Sequence, residues 1–257
     1  MIYYFTGTGN SGYVAKTLAN LLGEKERFIP SINAKQETFD GDYLGFVFPV
    51  YSWGVPPLVM KFIKDLPSSF WEALKVNQSK VWCVMTCGDE VALAPEMFLK
   101  GLLKSSGIRD CGIWSVTMPN NYVLLPGFNV DPVNVEQNKL KAVPGRIMEI
   151  ATAIRENVTE TDVVRGSMPW IKTKFVYPLF KKWGVNTRKW HYTPSCIGCG
   201  KCAMICPLKN VEMKNGHPEW GTRCCSCLAC YHICPYHAVA YGKETAKKGQ
   251  YFFKRNL

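Results

Sequence analysis

The chain is poor in histidine, has no long apolar run, and is nearly without acidic residues after position 160. Each shortage removes a class of function. The only histidines are His191, His217, His232 and His237; none stands at a metal-ligand spacing from another, so a surface or supporting role is expected for them. No apolar stretch reaches the roughly 18 residues a membrane-crossing helix needs. The N-terminus reads at once as strand, without the basic and apolar regions of a secretion signal, so a cytoplasmic location is expected. Residues 1–160 carry 15 Lys and Arg against 16 Asp and Glu, whereas residues 161–257 carry 16 against 4. Cysteine divides the same way: Cys83, Cys87 and Cys111 precede position 190, and the other nine lie between 196 and 234. Two units of different chemistry are therefore expected, at 1–160 and 191–245, joined by a basic aromatic linker at 161–190 and followed by a basic tail at 246–257.

The first unit alternates β and α patterns. Apolar runs rich in β-branched and aromatic residues stand at Ile2–Phe5, Arg27–Pro30, Tyr43–Phe48, Val81–Thr86 and Ile113–Met118. Helix-period segments follow most of them, the last carrying Leu140, Val143, Ile147, Ile150 and Ile154, with Pro144 expected to kink or restart that helix. Continuous apolar strands separated by helices imply a doubly wound α/β fold with a five-stranded parallel sheet. A ligand is expected at the carboxyl ends of those strands.

The first strand runs into the loop Thr6-Gly7-Thr8-Gly9-Asn10-Ser11. Glycines let backbone N–H groups close around a phosphate, and the hydroxyls add neutral donors beside a helix N-terminus. The loop has no lysine for a Walker A motif, and no acidic residue follows the second strand to bind a dinucleotide ribose. A single terminal phosphate is the better match. The pattern resembles the phosphate loop of the flavodoxin family, and the resemblance implies FMN. It further implies that Pro49, Val50, Tyr51, Ser52, Trp53 and Gly54 line the flavin, with Tyr51 and Trp53 stacking on the ring. Thr86, Cys87, Gly88 and Asp89 match a third flavin loop, and Asn121 and Tyr122 are further candidates. Cys83, mid-strand, reads as a small buried hydrophobe.

The sharpest signal is the pair CIGCGKCAMICP (196–207) and CCSCLACYHICP (224–235). Each fits C-x2-C-x2-C-x3-C-P, the run of a bacterial two-cluster ferredoxin, in which the fourth cysteine ligates the other cluster. One [4Fe–4S] cluster would take Cys196, Cys199, Cys202 and Cys234; the other would take Cys224, Cys227, Cys230 and Cys206. Zinc is the competing reading, but zinc sites usually use separated cysteine pairs. Cys225 falls outside the pattern. With both parts joined, the chain resembles flavodoxin–ferredoxin fusion proteins of bacteria and archaea. The second unit is then expected to be a small α+β ferredoxin-like domain.

These cofactors imply an electron carrier relaying electrons between two clusters and FMN, with redox proteins as donors or acceptors. The alternative is an oxidoreductase that reduces a quinone, a nitro compound or oxygen at the flavin, though no general acid–base pair is visible beside it. The linker SMPWIKTKFVYPLFKKWGVNTRKWHY (167–192) is expected to pack its aromatics between the units, a membrane-surface contact being the lesser alternative. Nucleic acid is not expected as a partner. Oxidised clusters at about −2 each and the FMN phosphate at about −2 would offset much of the +11 formal charge.

Overall fold

The computed structural model describes residues 1–183, 186–243 and 245–253; linker positions 184–185, position 244 and tail positions 254–257 lie outside the described residues. The chain begins with β1 (Ile2–Tyr4), α1 (Asn10–Leu22), β2 (Glu26–Phe28) and β3 (Tyr43–Pro49). It continues through α2 (Pro57–Asp65), α3 (Ser68–Val76), β4 (Lys80–Cys87), α4 (Ala94–Ser106), β5 (Gly112–Thr117), α5 (Val133–Arg155) and β6 (Thr161–Asp162). The six strands form one sheet in the order β2-β1-β3-β4-β5-β6, every pair parallel. The order of the first five is the flavodoxin-like doubly wound order, with its switch point between β1 and β3.

Alternation along the buried strands sends side chains to both faces. Phe46, Phe48, Cys83 and Met85 pack under α2, α3 and α4 with Phe62, Trp71 and Phe98. Val47, Trp82, Val84 and Trp114 face α1 and α5, meeting Leu18, Ile147 and Ile150. Each such burial contributes about 1.5–3 kcal/mol. Gly45 makes room for one of them: a Cβ there would stand 2.3 Å from the Trp82 ring.

Two expectations need correction. The sheet gains a sixth strand, because Thr161 and Asp162 pair with Ile113 and Trp114 at its edge. Two exposed polar residues leave no apolar run to read. Pro144 does not restart the last helix, which runs unbroken from Val133 to Arg155. Pro144 is exposed, while the buried stripe Val143, Ile147, Ile150 and Ile154 holds both halves of the helix to the sheet and offsets a proline cost of about 3 kcal/mol.

The linker is helical over α6 (Pro169–Ile171), a π-helical turn (Lys172–Val176) and α7 (Tyr177–Trp183). After it come β7 (Trp190–Tyr192), α8 (Lys201–Met204), β8 (Val211–Lys214), β9 (His217–Trp220), α9 (Ala229–Ile233) and β10 (Val239–Tyr241). This stretch is an internal repeat of 28 residues, the offset from Cys196 to Cys224. Gly198 and Ser226 both take left-handed backbone, as do Gly200 and Leu228, and Lys209 and His237. The Asn210 amide donates to Cys206 Sγ at 3.2 Å, and its counterpart Ala238 donates to Cys234 Sγ at 3.2 Å. The halves interlock, β7 pairing antiparallel with β10 and β8 with β9. Their shared core of Trp190, Val211, Leu228, Tyr231, Val239 and Tyr241 also takes in Val123 and Leu124, from the loop after β5.

Candidate functional site

The loop Thr6–Ser11 leaves β1 at the carboxyl edge of the sheet, at the switch point. Gly9, with φ +99°, is the N-cap of α1; no side chain caps this helix start and no acidic residue lies in its first turn. The loop is closely knit. Thr6 Oγ1 accepts from the Gly9 amide, Thr8 Oγ1 accepts from Asn121 Nδ2 at 2.6 Å, and Ser11 Oγ shares a 2.7 Å hydrogen bond with Thr86 Oγ1. Asn10 donates to the Pro119 carbonyl and accepts from the Tyr251 hydroxyl at 2.6 Å.

The structure brings the other candidate loops to the same edge. After β3 the chain turns sharply, with Ser52 and Trp53 in left-handed backbone and Tyr51 paired to Gly54 by two backbone hydrogen bonds. Pro49 ends β3, and the Val50 amide donates to the Thr86 carbonyl. The Tyr51 hydroxyl is enclosed and has no protein partner. Burial pushes that phenol well above its ordinary range, and the neighbouring Cys225, Cys227 and Cys224 add to the shift. Trp53 is already engaged: its N–H donates to Glu90 and Lys172 lies 5.5 Å from its ring centre.

After β4, Cys87 is buried and its thiol is pushed up to about 12, chiefly by desolvation. Gly88 permits the approach of the Asn120 amide, which a Cβ would meet at 1.6 Å. Asn120 donates to Asp89 and Asp131, and Lys139 bridges the same two carboxylates. Tyr122 turns away toward Phe128 and Phe180.

Sequence reasoning missed the residues that tie the two halves of the chain together. The Cys227 carbonyl abuts Gly7, 2.3 Å from where a Cβ would stand. His232 is fully buried, with Nε2 2.7 Å from the Asn121 carbonyl, and its Nδ1 accepts from the Tyr251 amide. A carbonyl only accepts, so Nε2 carries the proton. The expected surface role does not apply to this histidine. The Phe253 amide donates to the Thr8 carbonyl at 2.8 Å, and its ring packs on Tyr13. From the linker, Thr173 donates to the Trp53 carbonyl and Tyr177 to the Val55 carbonyl, its ring lying against Gly54. No composition or period signal marks Asn121, His232 and Tyr251 as neighbours.

The cysteines fall into two neighbourhoods. Cys196, Cys199, Cys202 and Cys234 line one cavity, together with Met213, Tyr236 and Val239. Burial pushes the Cys202 thiol up to about 11, with Cys234 and Cys196 adding to it. Cys230 is raised by burial and by Cys227, Cys224 and Cys206, which marks the second group. Burial lifts Cys224 to about 11 as well. The Cys225 thiol hydrogen-bonds Cys227, which keeps Cys227 low and Cys225 high. Among the described residues, no three His, Cys, Asp or Glu side chains are arranged to hold a single metal ion.

No protein-family model and no curated protein matches the chain. Several solved structures are similar to parts of it. An FMN-dependent NADH-azoreductase from Bacillus anthracis str. Ames Ancestor, in complex with FMN, is 10% identical over 58% of this chain and 98% of its own, at a TM-score of 0.37. The Trp repressor binding protein from Bacillus subtilis is 15% identical over 58% and 97%, at 0.35. The apo form of an NADH:FMN oxidoreductase (EMOB) is 14% identical over 66% and 97%, at 0.37.

Proposed function

We propose that the chain is an iron–sulfur flavoprotein that carries electrons, with two [4Fe–4S] clusters in residues 191–245 and FMN at the carboxyl edge of the sheet in residues 1–160. The carrying observation is the 28-residue repeat. Its two halves hold their cysteines in matching backbone, and they gather Cys196, Cys199 and Cys202 with Cys234, and Cys224, Cys227 and Cys230 with Cys206. That exchange of the fourth cysteine is the ligand pattern of a two-cluster ferredoxin.

The donor set fits. Zinc sites usually use separated cysteine pairs, whereas these cysteines come in two runs of four, each closed by a proline. Backbone amides donate to Cys206, Cys224 and Cys234, as suits sulfurs that carry charge. For FMN, the uncapped start of α1 and its neutral hydroxyls suit a phosphate, which helix N-termini favour by about 0.3–1 kcal/mol. The enclosed Tyr51 hydroxyl, without a protein partner, supports a ligand at the same edge.

Bound there, the clusters supply one-electron transfer and the flavin one- or two-electron transfer. The chain's part is to order them. Cys199 is exposed, which sets the first group at the surface. The loop 224–230 sets the second group against Gly7 and Tyr51. A donor or acceptor protein would therefore meet the first group, and the second would lie between it and the flavin.

Anaerobically prepared protein is expected to hold about eight iron and eight acid-labile sulfide per chain, with FMN as the released flavin. Zinc without sulfide would end the iron–sulfur reading. Iron and sulfide without flavin would end the flavin half alone.

A further inference from the structure

Among the described residues, the linker helix has one face covered by the sheet domain and an apolar face left open. Thr173 and Tyr177 are buried against the loop after β3. On the opposite side Ile171, Phe175 and Leu179 recur every four residues and are 48%, 55% and 49% exposed. Met168 and Trp170 extend the stripe at 63% and 56%, and the Trp170 ring meets Phe175 edge-on at 5.3 Å. Scattered exposed apolar residues are ordinary, but a contiguous row of five marks a contact surface.

Charge identifies the contact. Lys174, Lys181 and Lys182 are exposed along the same helix. Between Asp162 and Glu212 the chain has nine Lys and Arg and no acidic residue. We infer that this face docks the protein on an anionic lipid bilayer, with Trp170, Ile171, Phe175 and Leu179 entering the headgroup boundary and the lysines meeting lipid phosphates. An apolar stripe with tryptophan, flanked by lysines on long stems, is the pattern of a helix lying in a membrane interface. A second copy of the chain would bring the same positive charge to the contact and repel it. A folded protein partner calls for a rim of mixed polar groups, whereas the charged groups named along this helix are lysines alone. Among the described residues no helix is long and apolar enough to cross a membrane, so the contact lies along the surface.

Flotation of the full chain with vesicles tests this. One set is phosphatidylcholine alone; the other contains about one-third phosphatidylglycerol. Binding is expected to the anionic set only, and to be released near 0.5 M salt as screening shortens the Debye length to a few ångström. Ile171→Ser/Phe175→Ser/Leu179→Ser should bind at least tenfold more weakly with unchanged iron content, since these side chains support no core. Lys174→Gln should weaken binding about fivefold. Absence of binding to anionic vesicles, or equal binding by the triple variant, would overturn the inference. So would a solution dimer that the triple variant dissolves, because the face would then belong to a second copy.

Discussion

Replacing Gly7 with alanine adds one methyl group where the two halves of the chain touch. The new Cβ would stand 2.3 Å from the Cys227 carbonyl oxygen, and 3.0 Å from Cys227 Cβ. Carbon and oxygen atoms meet at about 3.3–3.6 Å, so roughly 1 Å of separation must be found. The obstacle is backbone on both sides, so no side chain can swing away. Either the loop 6–11 or the loop 224–230 has to move. Overpacking of this kind costs about 1–3 kcal/mol. In a chain of this size each kcal/mol lowers the melting midpoint by about 2–4 °C, so a drop of roughly 4–8 °C is expected at the centre of that range. Gly145→Ala serves as the control. It lies in α5 with nothing within 4 Å of the added atom, so it should gain about 0.5–1 kcal/mol and melt higher. Calorimetry on anaerobic protein reads both. Rapid-mixing spectroscopy should also show flavin reduction through the clusters slowed in Gly7→Ala at full iron content. A melting midpoint within about 1 °C of the parent, with unchanged reduction, would refute the contact.

Thr8→Val with Ser11→Ala should weaken FMN binding while iron content holds; the Ser11 change alone leaves the buried Thr86 hydroxyl short of a partner, at about 1–3 kcal/mol by thermal melting. Cys225→Ala should keep the full iron and sulfide content while Cys227→Ala loses part of it, as read by iron and sulfide assay, because Cys225 stands outside both ligand groups. Burial raises Asp131, but hydrogen bonds from Lys139 and Asn120 outweigh it and hold the carboxyl below its ordinary value of 3.8. A lowered acid stabilises above its unfolded value and loses that contribution as pH falls through its folded one. Asp131→Asn should therefore cost stability at neutral pH, and the gap in melting midpoint should close below about pH 4.

The sheet was largely legible because its central strands are continuous apolar runs: β3 and β4 are buried along most of their length, and nothing but a strand core fits Leu44–Phe48 or Val81–Met85. β6 was not, since two exposed polar residues carry no pattern. Within each run, three-residue spacing keeps three cysteines near one another, but what brings Cys234 beside Cys196, Cys199 and Cys202 is the folding of the two halves onto each other through β7–β10 and β8–β9. The linker was half legible. Its inward pair Thr173 and Tyr177 and its outward row Ile171, Phe175 and Leu179 both obey a four-residue step, and period alone cannot say which face is covered. The joint between the halves was not legible at all. Asn121, His232 and Tyr251 meet from three distant segments through single hydrogen bonds, and a hydrogen bond leaves no periodic trace.

That joint explains how so small a cysteine-rich segment stands as a folded unit. Fewer than 70 residues bury too little apolar area to be stable alone, so ligand bonds or borrowed contacts must make up the difference. Here the borrowed contacts are visible. Val123 and Leu124, from the loop after β5, are enclosed by the small core around Tyr231 and Leu228. In return Gln250 and Tyr251 bind the helix of the second repeat and then reach Asn10, and Phe253 reaches Thr8. The chain therefore crosses the joint three times, at the linker, at the loop 120–124 and at 250–253. Three crossings fix the approach of the second cysteine group to the sheet edge far more tightly than a single tether could. The proposed electron transfer would need that constancy, because transfer between centres depends on a separation that does not vary.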